Sequence, residues 1–367
     1  AIETKKEADP DNENLQRQAT LVHNALITTI DSFCLFVVQN HFSQIDLDPE
    51  FRIGDSAELT LMLKDVMNEI FEENYKRQDN EAFLALVDTY HKGRNDAAIR
   101  EMVEDVYRKS SSSSWPKKWI EGLTKLYEAE SLEEFEKSAV ISEITDYCKV
   151  ILKEAQQELL EAKELAADTP GLEKYIETLS ADIELFSGLD DQENYSSLQQ
   201  FVSSIKFGRI ATIRKFDGDE RIKDRVKNMR DAAKATVGKI QKTYFAMPLE
   251  LMYEQLKRQQ PFVNEIVRLS LEFYDAFEAK KTARRVFDFS DIEHFALRIL
   301  VDEDTLMPTD TAEEFAKHFE EIMIDEYQDS NQVQEDILRS ISRERMGENN
   351  MFMVGDVKQS IYSFRMA

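Results

Sequence analysis

Glycine and proline are scarce in this chain, ten and seven among 367 residues. So few breakers argue against a turn-rich β-architecture and favour long helices, the more so because 32% of the residues are charged. Only two cysteines occur, Cys34 and Cys148, and neither sits at a Cys-x-x-Cys or Cys/His metal spacing. That leaves no disulfide framework and no structural zinc, and points to a reducing cytosol. The five histidines are scattered and none pairs at i,i+4, so no histidine-based metal site is offered. No apolar run approaches the roughly 18 residues of a membrane span, and no charged-then-apolar leader opens the chain. The reading is a soluble, cytoplasmic protein with no membrane partner.

Positive charge is short as well: 46 Lys and Arg stand against 72 Asp and Glu, a net −26. Taken alone, this argues against nucleic acid, whose phosphates are held by Lys and Arg. A global charge is an average, however, and a local basic strip can oppose it. One exists. Between Ser203 and Thr243 twelve basic residues face five acids. Among them Arg214, Lys215, Arg221, Arg225 and Lys227 could form a phosphate-facing strip. The same stretch equally suits a solvated helix face paired with the acidic remainder.

What is present in quantity is apolar material, 42% with 10% aromatic, enough for a packed core. The length allows two domains or one with a large insertion. Residues 11–25 read as a short helix, and Ala25–Ile30 as a β-rich strand feeding a helix through Asp31-Ser32, a βα unit. From about Asp55 to Arg285 the pattern is helical almost throughout, over Ser56–Tyr75, Glu81–His91 and Asp96–Lys109, with a five-serine loop at Ser110–Ser114. A capping-box pattern at Ser131 predicts a helix running to about Ala167, with Ile141, Ile144, Cys148, Ile151, Leu152, Ala155 and Leu159 as its buried stripe. Another helix spans Leu249–Arg285, with a break or kink expected at Pro261. Beyond Arg285 the texture becomes α/β. Helices are predicted over Asp291–Val301 (capped at Ser290), Thr311–Phe319 and Val333–Ser342, and buried strands at Ile322–Ile324 and Met351–Gly355.

Both of these strands deliver polar residues at their C-terminal ends, where open α/β sheets bind ligands. The first ends in Asp325-Glu326. In nucleotide hydrolases that order has a physical logic: the Asp holds the Mg²⁺ bridging the phosphates, and the next acid polarises the attacking water. By itself an Asp-Glu after four apolar residues is a weak signal, more often an ordinary strand end. The full string, however, is Asp325-Glu326-Tyr327-Gln328-Asp329-Ser330-Asn331, and the second strand continues Gly355-Asp356-Val357-Lys358-Gln359-Ser360-Ile361-Tyr362-Ser363-Phe364-Arg365. In this order the pair resembles motifs II and III of the superfamily 1 DNA helicases of the UvrD/Rep/RecB type. Thr28-Thr29-Ile30-Asp31-Ser32-Phe33-Cys34 is similar to motif Ib, with Asp31 where His is commoner. Phe287-Asp288-Phe289-Ser290-Asp291-Ile292 resembles the segment preceding motif II. Leu47-Asp48-Pro49 and Phe51-Arg52-Ile53 add a likeness to the AddA-type helicase–nuclease branch, which is related to RecB.

The resemblance implies an α/β fold with dominant α: an incomplete RecA-like P-loop NTPase core carrying a large all-helical insertion of the 1B type. Residues 1–54 and 286–367 would form the core and 55–285 the insertion. It implies ATP and Mg²⁺ as cofactors, with Asp325 as metal ligand, Glu326 as catalytic carboxylate, Gln328 at the nucleotide and Gln359 as γ-phosphate sensor. Thr29, Ser32, Phe33, Tyr362, Phe364 and Arg365 would contact DNA, single-stranded or at a duplex junction, although Tyr362 and Phe364 equally suit plain core packing. An AddB-like subunit would be the partner. No G-x-x-x-x-G-K-[ST] string occurs, so no backbone cradle for the phosphates is encoded here. With a first residue that is not Met and a last residue directly after motif III, we expect a fragment of the helicase that is inactive alone. The alternative is a non-catalytic helical module that binds DNA or a partner protein. An unrelated P-loop ATPase with a similar strand is disfavoured by the Gln359–Arg365 string.

Overall fold

A computed structural model describes residues 4, 9–10, 12–90, 95–213 and 216–359. The chain divides into two compact units: residues 1–121 with 266–367, and residues 122–265. The second unit lies within the stretch 55–285.

That first unit begins with α1 (Glu13–Asn24) and α2 (Ile30–His41). No strand forms between them. Leu26 and Ile27 are exposed, Ile27 by 82%, and an apolar run without a ladder neighbour gains nothing from the extended conformation. Instead the Thr29 hydroxyl caps α2, accepting the Ser32 amide at 3.2 Å. β1 (Arg52–Ile53) then leads into α3 (Ser56–Lys76), α4 (Glu81–Tyr90), α5 (Ala97–Ser110) and α6 (Pro116–Gly122). β1 pairs in parallel with β2 (Val286–Phe287). The strands are closely applied at Gly54, where a Cβ would stand 2.5 Å from Val286 Cγ1.

The second unit is all-helical: α7 (Leu132–Glu136), α8 (Ala139–Ala167), α9 (Glu173–Glu184), α10 (Tyr195–Ser204) and α11 (Glu220–Thr243). The single helix expected from Ser131 is two, since α7 stops before Ser138. α8 buries Ile141, Thr145, Cys148, Leu152, Ala155, Leu159, Ala162 and Ala166. These alternate at three and four residues, as do Val226, Arg230, Ala233, Val237 and Ile240 of α11, the spacing that seats one helix along another. Ile144 and Ile151 flank this seam, half-buried. Arg230 is the polar member of the stripe. Its guanidinium grips Asp182 through Nε (2.5 Å) and Nη2 (3.2 Å) and donates to Gly208 O at 2.7 Å. α12 (Leu249–Arg284) follows and continues through Pro261 rather than stopping there; the boundary between the units falls within it.

The remaining elements belong to the first unit: α13 (Phe289–Leu300), α14 (Asp310–His318), β3 (Ile322–Ile324), α15 (Gln332–Ser340) and β4 (Met351–Met353). α13 is capped by Asp288, not Ser290, through a reciprocal bond with Asp291. The other Asp291 oxygen accepts from Lys281, which is fully buried and also paired with Glu278 at 2.5 Å. β3 and β4 are parallel, Ile322 opposite Met351 and Ile324 opposite Met353. They are not the buried strands expected. Met323 is 70% and Phe352 63% exposed, because among the described residues no further strand or helix covers that face.

The Arg230–Asp182 pair sets a test for the helical unit. Arg230→Ala leaves a carboxylate buried without its partner and should cost about 3–5 kcal/mol in urea unfolding. Exposed Arg225→Ala on the same helix should stay within about 0.5 kcal/mol.

Candidate nucleotide site

The site is built where β3 and β4 end side by side. Beyond Ile324 the ladder stops, and Asp325 and Glu326 emerge exposed. Glu326 turns the chain sharply: its φ of 53° and ψ of 40° lie in the left-handed region, costing a non-glycine residue on the order of 1–3 kcal/mol. The surrounding backbone holds it there. Tyr327 N donates to Val354 O at 2.9 Å, Asp329 N to Glu326 O at 3.0 Å, and Glu326 N to Asp325 Oδ1 at 3.0 Å. The Tyr327 hydroxyl donates to Glu335, which also takes Arg339 Nε at 2.6 Å, anchoring the turn to α15.

Gln328 joins the two strand ends. Its amide nitrogen donates to Glu326 Oε2 at 2.6 Å, and its amide oxygen accepts Asp356 N at 3.0 Å. Gly355 leaves room for this bridge, since a Cβ there would lie 2.6 Å from Gln328 Oε1. Asp356 in turn organises the following turn, accepting Lys358 N and Gln359 Nε2, each at 3.0 Å. Glu326, Gln328, Asp356 and Gln359 thus form one hydrogen-bonded chain across both strand ends. Asp356 stands in the motif III string, but the sequence reading gives it no role of its own. Tyr362, Phe364 and Arg365 lie outside the described residues, as do Arg214 and Lys215.

At the start of α2, Thr29 and Ser32 are exposed, with Thr29 Oγ1 donating to Ser32 Oγ at 2.9 Å. Phe33 is different. It is 7% exposed and packs against Phe315 and Phe319, with ring centroids at 5.8 and 6.2 Å. It is a core residue, and the expectation that it contacts DNA is corrected on that ground. On α11, Arg221 and Arg225 share an exposed face one turn apart, and Lys227 is half-buried 3.9 Å from Asp224. Arg230, counted among the twelve basic residues, is buried in the seam and offers nothing to a partner.

Among the described residues no three His, Cys, Asp or Glu side chains gather into a metal cage. Mg²⁺ does not need one. It takes one or two carboxylates and completes its shell with phosphates and water, and the exposed oxygens of Asp325 and Glu326 are hard donors of the right kind. No described helix is long and apolar enough to cross a membrane.

Comparison with known proteins gives the class. Residues 3–367 match the UvrD/REP helicase N-terminal domain, and the chain belongs to that family. Over its whole length it is 40% identical to AddA, the ATP-dependent helicase/nuclease subunit, of Lachnoclostridium phytofermentans. It is 36% identical to the same protein of Clostridium botulinum and 35% to that of Geobacillus kaustophilus, again over its whole length. The chain spans 27% of the first of these relatives and 30% of the other two.

Gly355→Ala tests the bridge. The added methyl displaces Gln328 and releases Glu326, so ATP hydrolysis, the activity proposed below for the full-length protein, should fall about 10²-fold. Its circular dichroism and melting should stay near wild type.

Proposed function

We propose that this chain is the part of an ATP-driven 3′→5′ DNA helicase that positions Mg²⁺·ATP and relays its hydrolysis to DNA, within a helicase–nuclease that processes double-strand breaks. The observation that carries the reading is the bonded chain Glu326–Gln328–Asp356–Gln359 at the joined ends of β3 and β4. It sets a carboxylate suited to water activation in register with a glutamine suited to reading the γ-phosphate. Asp325 would hold the Mg²⁺, which when bound neutralises phosphate charge. Glu326 would orient and polarise the attacking water, kept in place by Gln328. Gln359, fixed by Asp356, would report nucleotide state to the residues that follow it, where Tyr362, Phe364 and Arg365 are assigned to the DNA strand.

In this reading residues 1–54 and 286–367 belong to a RecA-like core, and the helical stretch within 55–285 is its 1B-type insertion. The exposed apolar face of β3 and β4 fits a sheet with further strands and cover. Thr29 and Ser32 would meet the DNA backbone, and Arg221, Arg225 and Lys227, with Arg214 and Lys215, the duplex ahead of the junction. An AddB-like subunit is the partner, the compartment is the cytoplasm, and this stretch alone, without a phosphate loop, does not hydrolyse ATP. The second reading, a non-catalytic helical module that binds DNA or a partner protein, draws on the exposed basic face of α11.

ATP hydrolysis by the full-length protein, with and without single-stranded DNA, separates the two. We expect DNA-stimulated turnover that Glu326→Gln abolishes, at least about 10³-fold down. Wild-type silence, or a Glu326→Gln variant that turns over normally, sinks the helicase reading. Replacing Arg221, Arg225 and Lys227 by Glu should weaken DNA binding and flatten its salt dependence; an unchanged slope removes the basic face from the DNA path.

A further inference from the structure

The five-serine run Ser110–Ser114 joins α5 to α6, and it does more than connect them. Ser110 and Ser111 turn inward, each hydroxyl donating to Tyr107 O, at 2.8 and 3.0 Å. Ser113 N donates to Ser110 O at 2.9 Å. Short hydroxyl side chains can close a turn on its own backbone in this way. The turn so formed makes two bonds outward. Ser113 O accepts His294 Nε2 of α13 at 2.9 Å. Ser114 is only 6% exposed, and its hydroxyl donates to Asp336 Oδ2 of α15 at 2.5 Å. The serine loop therefore bridges α13 and α15.

That bridge matters because of what α15 holds. Its cap, Asn331, follows directly on the turn after Asp325 and Glu326. Three consecutive residues of the helix are then gripped by different partners. Gln334 Nε2 donates to Glu293 Oε1 at 2.6 Å, with Asn331 Nδ2 at 3.4 Å from the other oxygen. Glu335 accepts the Tyr327 hydroxyl, the bond that anchors the Glu326 turn. Asp336 takes the Ser114 hydroxyl on one oxygen and Gln332 Nε2, at 3.1 Å, on the other. Glu293 and His294 are neighbours on α13, so one stretch of that helix reaches α15 by two routes, directly and through the serine loop. Glu335 stands between the two points at which α15 is held.

We propose that Ser114 is a positioning residue for the acid pair: its bond to Asp336 fixes α15 and, through Glu335 and Tyr327, the turn that aims Glu326. This role rests on the helicase reading. Removing the hydroxyl deprives a half-buried carboxylate oxygen of its partner and loosens one of the two holds on α15. The carboxylate that orients the attacking water then loses its exact placement, on which turnover depends. Nucleotide affinity, set by other contacts, stays as it was.

Steady-state ATP hydrolysis by the full-length protein with single-stranded DNA tests this, with melting temperature measured alongside. Ser114→Ala should lower kcat about tenfold and leave KM for ATP within about twofold. Asp336→Asn, which keeps an acceptor for the hydroxyl, should retain most of kcat, whereas Asp336→Ala should lose it. Combining Ser114→Ala with Asp336→Ala should cost no more than Asp336→Ala alone, because both changes break the same bond. A Ser114→Ala protein with wild-type kcat overturns the proposal, and a lowered melting temperature beside it leaves the serine a structural role only. Losses that multiply in the double variant overturn it as well. Amide hydrogen exchange gives an arm that needs no activity: the backbone from Tyr327 to Glu335 should exchange faster in Ser114→Ala, and unchanged exchange there counts against the role. A wild type that does not hydrolyse ATP overturns the helicase reading and the positioning role with it. Hydrolysis that Ser114→Ala leaves intact overturns the positioning role alone.

Discussion

The parallel pairing of β3 with β4 is the constraint on which the candidate site depends. Three residues on each side are enough, because the ladder is prolonged by Val354 N to Ile324 O and Tyr327 N to Val354 O, both 2.9 Å. Parallel strands place their C-terminal ends together, so this one register puts Asp325 and Glu326 beside Gly355 and Asp356 without any contact of their own. The left-handed turn at Glu326 then aims its carboxylate at Gln328. The pairing supplies proximity and the turn supplies direction, and the glutamine amide, which both donates and accepts, fixes one against the other.

The rest of the first unit supports that register from behind. α13 presents the core face against which α2 and α15 pack, and each of these three helices begins with a side-chain cap: Thr29, Asp288 and Asn331. Caps fix where a helix starts, and here helix starts carry the polar residues. The helical unit is built on a different principle, a long seam of small and branched side chains between α8 and α11 with one buried ion pair in it. Its outer face is free to carry charge. Arg221 and Arg225 point away from the seam that Arg230 enters.

How legible all this is in the sequence follows the range of each interaction. The seam of α8 can be read from spacing alone, since periodicity is local and survives without a partner. The helices from Ser56 to Lys109 fall within a residue or two for the same reason. Ala25–Ile30 reads as a strand but is none, because β-rich composition says nothing about whether a neighbouring strand exists. The strands expected to be buried are half-exposed on the same account. Pro261 reads as a break or kink, and the helix does not end there, because one missing amide does not stop a helix whose neighbouring turns remain bonded. Asp325, Glu326 and Gln359 are singled out by their strings. The Gln328 bridge is not, because it spans 28 positions of sequence. Glu293 gives no signal beyond a place in an amphipathic helix, and Phe33, singled out by its neighbours in a motif, belongs to the core.

The proposed helicase function requires the acid pair to act as a nucleotide-dependent metal site. Manganese(II), a spectroscopic stand-in for magnesium, can be titrated into the full-length protein with a non-hydrolysable ATP analogue and followed by electron paramagnetic resonance. The account predicts tight binding only when nucleotide is present, weakened by more than about tenfold in Asp325→Asn. Equal manganese affinity in wild type and Asp325→Asn would contradict it.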